Sequence, residues 1–446
     1  MATVNCPANV RETKIAFGFQ PQADLATANT PTQLWSLTKT NTALAVVTPT
    51  TENDANDIGK GDEFPTQTFP SHMDVAAPIE KFASSEFLAW CFCFATGNAT
   101  KTAAGGGFKY CATPSDPAVA CINLTPFTYA EQIRDEPNSV IDRAAIGMVV
   151  NDFSIAMQSG PGRANCTVTA NLVGTGKTQS PSAIAPWPAV TPEHFLNAAS
   201  LALTILGTDY VANQSLISLN FAWTNNTRLD SGFFPGSGTQ NGFAIRGRME
   251  YNTRQCSLTF TARAQKGSPE YQKLISQTPG PISIKLTGPV IGAGPETHGI
   301  EITIPKAQFS AVVVGDADGI VTVQCETLIL KDPAQPYITM CATCEKDGLL
   351  GLTTLLAAEA VSGAPVTLPV ASADVPQSGG PQSFAVESAD TWTASSSDMW
   401  ITITAPAAGV TGNGIVEYLV AANDTAAARA GSIVVGDKTF AVNQAA

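Results

Sequence analysis

The chain has 446 residues, 44% hydrophobic and 14% charged, with 24 basic side chains against 37 acidic ones and a net charge of −13. That length makes two or three domains, each able to bury its own core. Charge well below the usual ~25%, with no basic stripe, excludes a surface built to grip nucleic acid by its phosphates. The polar surface must come largely from Ser, Thr, Asn and Gln, which suits faces covered by other subunits or an extracellular β protein.

Residues 1–7 show neither a basic nor an apolar segment of a signal peptide. The longest apolar run, 196–206, is too short and too polar to span a bilayer. The expectation is a soluble chain made in the cytoplasm, without membrane insertion. Strand-like runs occupy 14–19 and 44–48. The stretch 51–63 then reads as a long acidic loop, of the kind that is usually functional; Asp54, Asn56, Asp57, Lys60, Asp62 and Glu63 are its polar residues. A helix is expected over 78–94, with Pro78 in its first turn and Ile79, Phe82, Phe87, Trp90 and Phe94 near helical spacing. It should end before Gly97 and pack across an open face of a sheet.

Alternating strands are expected at 144–157 and 164–173, joined by the Gly/Pro turn 158–162. After the Pro-rich break 180–192, a second helix is expected over 192–206, then strands at 216–223, 243–251 and 257–264. The two helix-then-strand blocks look alike and hint at an internal duplication. Strands follow at 282–287, 299–304 and 320–330, and 349–361 is an apolar helix or arm.

From Pro365 to Ala446 the pattern changes. Short β-branched and aromatic runs at 383–386, 400–404, 415–421, 432–435 and 438–442, spaced by roughly ten residues, mark an antiparallel sandwich. This stretch carries −5 of the charge and neither His nor Cys. The fold class is therefore mainly β: a body over 1–361 with one or two packed helices, a linker over 362–381, and a sandwich over 382–446 whose start could fall as early as 365.

Several segments resemble chemistry and fail. Residues 171–178 nearly spell a phosphate loop, but Asn171 replaces its first glycine and no helix pattern follows. Cys341 and Cys344 have zinc-knuckle spacing without a second pair. Asp54, Asn56 and Gly59 partly match a calcium loop, yet Pro65 stands where its last glutamate belongs. Asp316 to Gly319 reads as a hairpin turn. His72, His194 and His298 are isolated in sequence. The ten cysteines are scattered and read as reduced, buried thiols. No catalytic, cofactor or metal residue is assigned, and an enzyme is not expected.

The succession of arm, early strands, acidic loop, helix and long paired strands resembles the tail tube proteins of long-tailed, siphovirus-like bacteriophages. Met148 to Ile155, a Gly/Pro turn and Thr167 to Gly176 resemble that family's strand–turn–strand ending in a glycine. Ile300 to Lys306, Asp318-Gly319-Ile320 and the strand from Cys325 to Leu330 resemble its closing hairpin. Trp392, Trp400, Tyr418, Asn423, Arg429-Ala430-Gly431, Val434, Phe440 and Gln444 resemble the BACON type of immunoglobulin-like domain, with Trp392, Trp400, Tyr418 and Phe440 as its core.

The resemblance implies hexameric rings stacked into a hollow tube through which DNA is ejected, with the helix packed outside the lumen barrel. It makes 51–63 the contact between rings and the C-terminal domain an outer decoration. It also implies a virion location after assembly in the host bacterial cytoplasm. The implied partners are other copies of the chain, a tape measure protein, tail terminator and tip proteins, DNA in transit without specific binding, and a weak host-surface glycan contact by the outer domain. A glycan-binding adhesive protein and a phage capsid or decoration protein remain as alternatives. The adhesive reading would need Trp392 and Trp400 exposed.

Overall fold

The computed structural model describes residues 12–35, 45–53, 64–115, 124–133, 141–158, 166–179, 187–267, 269–292, 295–317, 319–333, 335–352, 367–388, 391–396, 398–406, 410–425, 427–435 and 438–446. Two compact units divide the chain, Met1–Leu356 and Ala357–Ala446. No helix among the described residues is long and apolar enough to cross a membrane.

Strands of four residues or more are numbered in chain order. The first unit contains β1 (Thr13–Ala16), β2 (Val46–Asn53), β3 (Thr68–Phe82), α1 (Ser85–Thr96), β4 (Ala99–Ala104), β5 (Gly107–Ala112), β6 (Phe127–Ile133), β7 (Ile141–Gln158) and β8 (Thr167–Gly174). It continues with β9 (Leu201–Ile205), β10 (Leu216–Thr224), β11 (Gln255–Arg263), α2 (Pro269–Ser276), β12 (Gly280–Val290), β13 (Thr297–Ala317), β14 (Ile320–Ile329) and β15 (Thr339–Cys344).

Eight of these strands run antiparallel side by side in the order β2-β3-β8-β7-β10-β11-β14-β13. A second layer runs β4-β5-β15-β13-β12-β9, and a smaller one β1-β6-β7. The two longest strands join the layers. β7 pairs with β6 through its first half and with β8 and β10 through its second. β13 does the same with β12 and then β14.

The helix α1 lies between the layers, against β7 on one side and β5 and β15 on the other. Ser84 caps its start by accepting from the Phe87 N–H, and left-handed Gly97 ends it by donating to the Cys93 carbonyl. All twelve of its residues are buried, so it is apolar on every side, as a helix sandwiched between sheets must be. Trp90 sits at its centre, 4.5 Å from the Phe17 ring, 5.0 Å from Phe94 and 5.0 Å from Phe127.

The expected helix over 78–94 is thus misplaced at its start and in its surroundings. Residues 78–82 belong to β3, where Ala77, Ile79 and Lys81 point inward and Pro78 outward with period two. β2 pairs no further than Ala76, so Pro78 stands where its missing N–H costs no described ladder bond. The expected helix over 192–206 is instead one 3-10 turn, Ala198–Ser200, followed by β9. Leu201, Leu203 and Ile205 alternate into the core, and β12 pairs along the whole strand. The expected strand 243–251 reduces to two-residue bridges at Phe243–Ala244 and Glu250–Tyr251. Of 349–361, only the 3-10 turn Leu349–Gly351 and Leu352 fall within the described residues.

The cysteines also need correction. β5 and β15 place Cys111 directly opposite Cys341, and the two form a disulfide. Cys344 remains a free, buried thiol, so 341 and 344 are not a matched pair. Cys91, Cys93, Cys166, Cys256 and Cys325 are also free. Burial pushes the Cys166, Cys325 and Cys344 thiols up to about 12, which keeps them protonated.

The second unit is a β domain of two main sheets, with a short pairing of Thr391–Trp392 and Val410–Thr411 beside them. Its strands are β16 (Ser372–Val375), β17 (Gly380–Val386), β18 (Ile401–Ala405), β19 (Gly414–Val420), β20 (Arg429–Val435) and β21 (Lys438–Gln444). One sheet runs β16-β21-β20 and the other β17-β19-β18. Phe384, Trp392, Tyr418 and Phe440 fill the space between them, with Phe384 stacked on Phe440 at 3.9 Å. Trp400 is only half-buried, under the Arg429 guanidinium at 4.4 Å. Much of the expected linker 362–381 is part of this domain: Thr367 bridges to Glu387, and β16 pairs with β21.

Candidate functional site

The two faces of the eight-strand sheet differ in chemistry. One carries Val75, Ile79, Leu172, Phe153, Ile155, Phe221, Trp223, Phe260 and Cys325, all in the core. The opposite face follows from the register as cross-strand rows. Glu80, Thr169, Ser154, Ala222 and Ser257 form one row. A second runs Phe82, Thr167, Ala156, Asn220, Thr259, Glu326 and Ala311. A third runs Gln158, Ser218, Thr261, Gln324 and Val313.

These rows consist mostly of hydroxyls, amides and methyls, with a few acids. Asp152 lies on the same face, accepting from Asn171 Nδ2 at 2.6 Å and Asn151 Nδ2 at 2.8 Å. Its partial burial holds its carboxyl above the usual aspartate range, against the pull of those two donors. Sparse charge on this face, with the basic Arg263 at one end of β11, gives phosphate groups little to bind.

Both outer edges of this sheet lack a described pairing partner. β2 pairs only with β3, and beyond Phe309 β13 pairs only with β14. Val46 on one edge is 58% exposed, and Val313 and Val314 on the other are 59% and 64% exposed. Apolar side chains on an unpaired edge are a template for adding another strand.

A buried polar cluster lies at the start of α1, and sequence spacing gave no sign of it. Glu86 accepts from the His194 backbone N–H at 2.9 Å and meets His194 Nδ1 at 2.8 Å. His298 lies 3.4 Å from the same carboxylate, and its Nδ1 is 3.1 Å from Ser85 Oγ. The two imidazole rings stack at 3.6 Å. Burial and the neighbouring His194 hold the His298 ring below the usual histidine range, while Glu86 and Glu345 act the other way. The donor atoms of Glu86, His194 and His298 lie within 4.8 Å of one another. Glu86 Oε1 bridges the Nδ1 atoms of the two stacked rings, which ties 194 and 298 to the helix start. Next to it, Lys81 meets Glu193 at 2.5 Å, and Ser84 donates to the same carboxylate at 2.6 Å.

Of the residues singled out from sequence, Asp54, Asn56, Asp57, Lys60, Asp62 and Glu63 lie outside the described residues. His72 lies apart from the other two histidines, 3.6 Å from Asp74. The segment 171–178 contains the end of β8, then a turn with Gly176 at φ 95° and a short bridge at 178–179.

A family model described as phage tail tube protein matches residues 12–327, which takes in the eight-strand sheet up to the last two residues of β14. The chain belongs to the phage tail tube protein family. This tail tube protein is therefore a structural component of a phage tail, a virion part that assembles with itself and with other tail proteins. No curated protein matches it. Among solved structures, a stretch covering 18% of this chain and 18% of the other is similar to a Bacteroides ovatus GH5 xyloglucanase in complex with a XXXG heptasaccharide. The identity is 21% and the TM-score 0.17, too low to carry an argument.

Proposed function

We propose that this tail tube protein closes into rings of six-fold repetition that stack into the hollow tail tube of a long-tailed, siphovirus-like phage. The polar face of the eight-strand sheet lines the lumen through which DNA is ejected. What carries this reading is that face: a wall mostly of Thr, Ser, Asn, Gln and Ala with a few acids, opposite a core face that is apolar apart from Lys81 and Thr327. Backbone edges left open at β2 and β13 supply the means of closure. In this reading α1 and α2 lie on the side away from the lumen.

The acidic segment 51–63, whose residues 51–53 end β2 instead of lying in a loop, is the proposed contact between rings, and a tape measure protein with terminator and tip proteins are the proposed further partners. Assembly takes place in the host cytoplasm. The C-terminal unit is proposed as a BACON-type, immunoglobulin-like decoration of the tube exterior. Trp392 is buried in its core, so any glycan contact falls to its loops, and an adhesive role built on a Trp392 platform loses its support. Negative-stain microscopy of the purified protein tests the reading. Rings or tubes with a central channel are expected, and a monomer that persists at high concentration would overturn it.

A further inference from the structure

We infer that this chain carries the tube unit twice, and that β13 of one copy pairs with β2 of the next in the register that β7 and β10 already show within the chain. The inference rests on the ring reading above and fixes its copy number and its joint.

The eight-strand sheet divides into two groups of the same order and polarity, β2-β3-β8-β7 and β10-β11-β14-β13. In each group the chain runs two strands and a helix, leaves the sheet for strands of another layer (β4, β5 and β6 in the first, β12 in the second), and returns as a long strand and its hairpin partner. Each long strand spends its first half in another layer, beside β6 or β12. Each also bulges at one matching place, at residue 151 in β7 against β8 and at residue 310 in β13 against β14. Such bulges are designed features, and two at one topological position mark a repeated unit. The duplication expected from sequence set helix 78–94 and strands 144–173 beside helix 192–206 and strands 216–264; the repeat inferred from the strands has other bounds, β2 to β8 beside β10 to β14.

Within the chain the two units meet at β7 and β10, where Ser154 stands opposite Ala222. Carried through the two registers, Val313 holds the place of Ser154, and Val46 holds the place of Ala222. Strand polarity alternates across all eight strands, so β13 and β2 of neighbouring copies meet antiparallel without any rearrangement. Val313 then faces Val46, and both are side chains left exposed in the single chain. Their contact removes apolar surface from water and satisfies two open backbone ladders. A ring of six units then needs three chains.

The test is the Val46→Cys/Val313→Cys double variant, oxidised with copper phenanthroline after assembly and run on a non-reducing gel. The expected result is a ladder that ends at three chains. A ladder ending at six chains would overturn the duplication as the source of the ring's units. Tubes that form without cross-links between chains would overturn the joint while leaving the tube reading intact. Failure of the unmodified protein to form rings would overturn the tube reading itself. If only the variant fails to assemble, native mass spectrometry of unmodified rings decides, three chains supporting the inference and six contradicting it.

Discussion

Lys81 and Glu193 form an ion pair whose side chains are 0% and 2% exposed. Burial pushes the Lys81 ammonium below its usual range, and Glu193 opposes that shift. Glu193→Ala leaves the ammonium without its counter-charge, so we expect a loss of about 3–5 kcal/mol in denaturant unfolding. The double variant Lys81→Met/Glu193→Leu should recover much of that loss. His298 supplies a pH test. Its folded value is depressed, so the unfolded chain takes up a proton near pH ~6.5 that burial and the neighbouring His194 resist in the folded chain, with Glu86 and Glu345 partly offsetting them. Stability is full above that pH and is lost as pH falls through the folded value. Melting temperature should therefore drop more between pH 7.5 and 5 in the parent than in His298→Asn, and equal slopes would contradict this assignment. Gly176→Ala should also destabilise, because φ is 95° there and a Cβ would meet the Met73 carbonyl oxygen at 2.1 Å. Little of this was legible in sequence, since His194 and His298 lie far apart along the chain and only the fold stacks them.

Among elements, the proposed assembly rests on the open strands β2 and β13. Val313→Lys puts a charge on the edge without entering the core, so sedimentation should show loss of assembly while the monomer melts as before. An equal loss of melting temperature would place Val313 in the fold instead. Period-two patterning made β7, β8, β10, β11 and β14 readable, because one face of each is buried and the other is polar. It failed where two periodicities coincide. Ile79 and Phe82 match helical spacing to Phe87 and Trp90, yet they sit on opposite faces of β3. The helix α2 was not foreseen, since it has only eight residues, of which Glu270 alone is buried, and its stripe of Tyr271, Leu274 and Ile275 is a single i, i+3, i+4 match. The lumen-facing residues could not be read from sequence. Small polar residues on strands look the same whether they face solvent, a partner or a channel.

For the whole molecule, the account separates an assembling body from a unit with its own core and its own two sheets. A chain ending at Gly363 keeps every strand of the eight-strand sheet, so it should still form tubes by negative-stain microscopy. Loss of tubes would make the C-terminal unit part of the architecture. The expected division into body and sandwich rests on turn spacing and composition, with a start as early as 365; β16 falls in the stretch expected as linker, because it has few apolar residues and reads as spacer. The most direct measurement of the central claim is a cryo-electron microscopy reconstruction of the assembled protein. We expect a continuous β-barrel wall with Ser154, Ala222, Asn220 and Thr259 facing an open channel and Phe153 and Phe221 directed into the wall. A particle without a channel, or a tube with that polar face turned outward, would contradict the account.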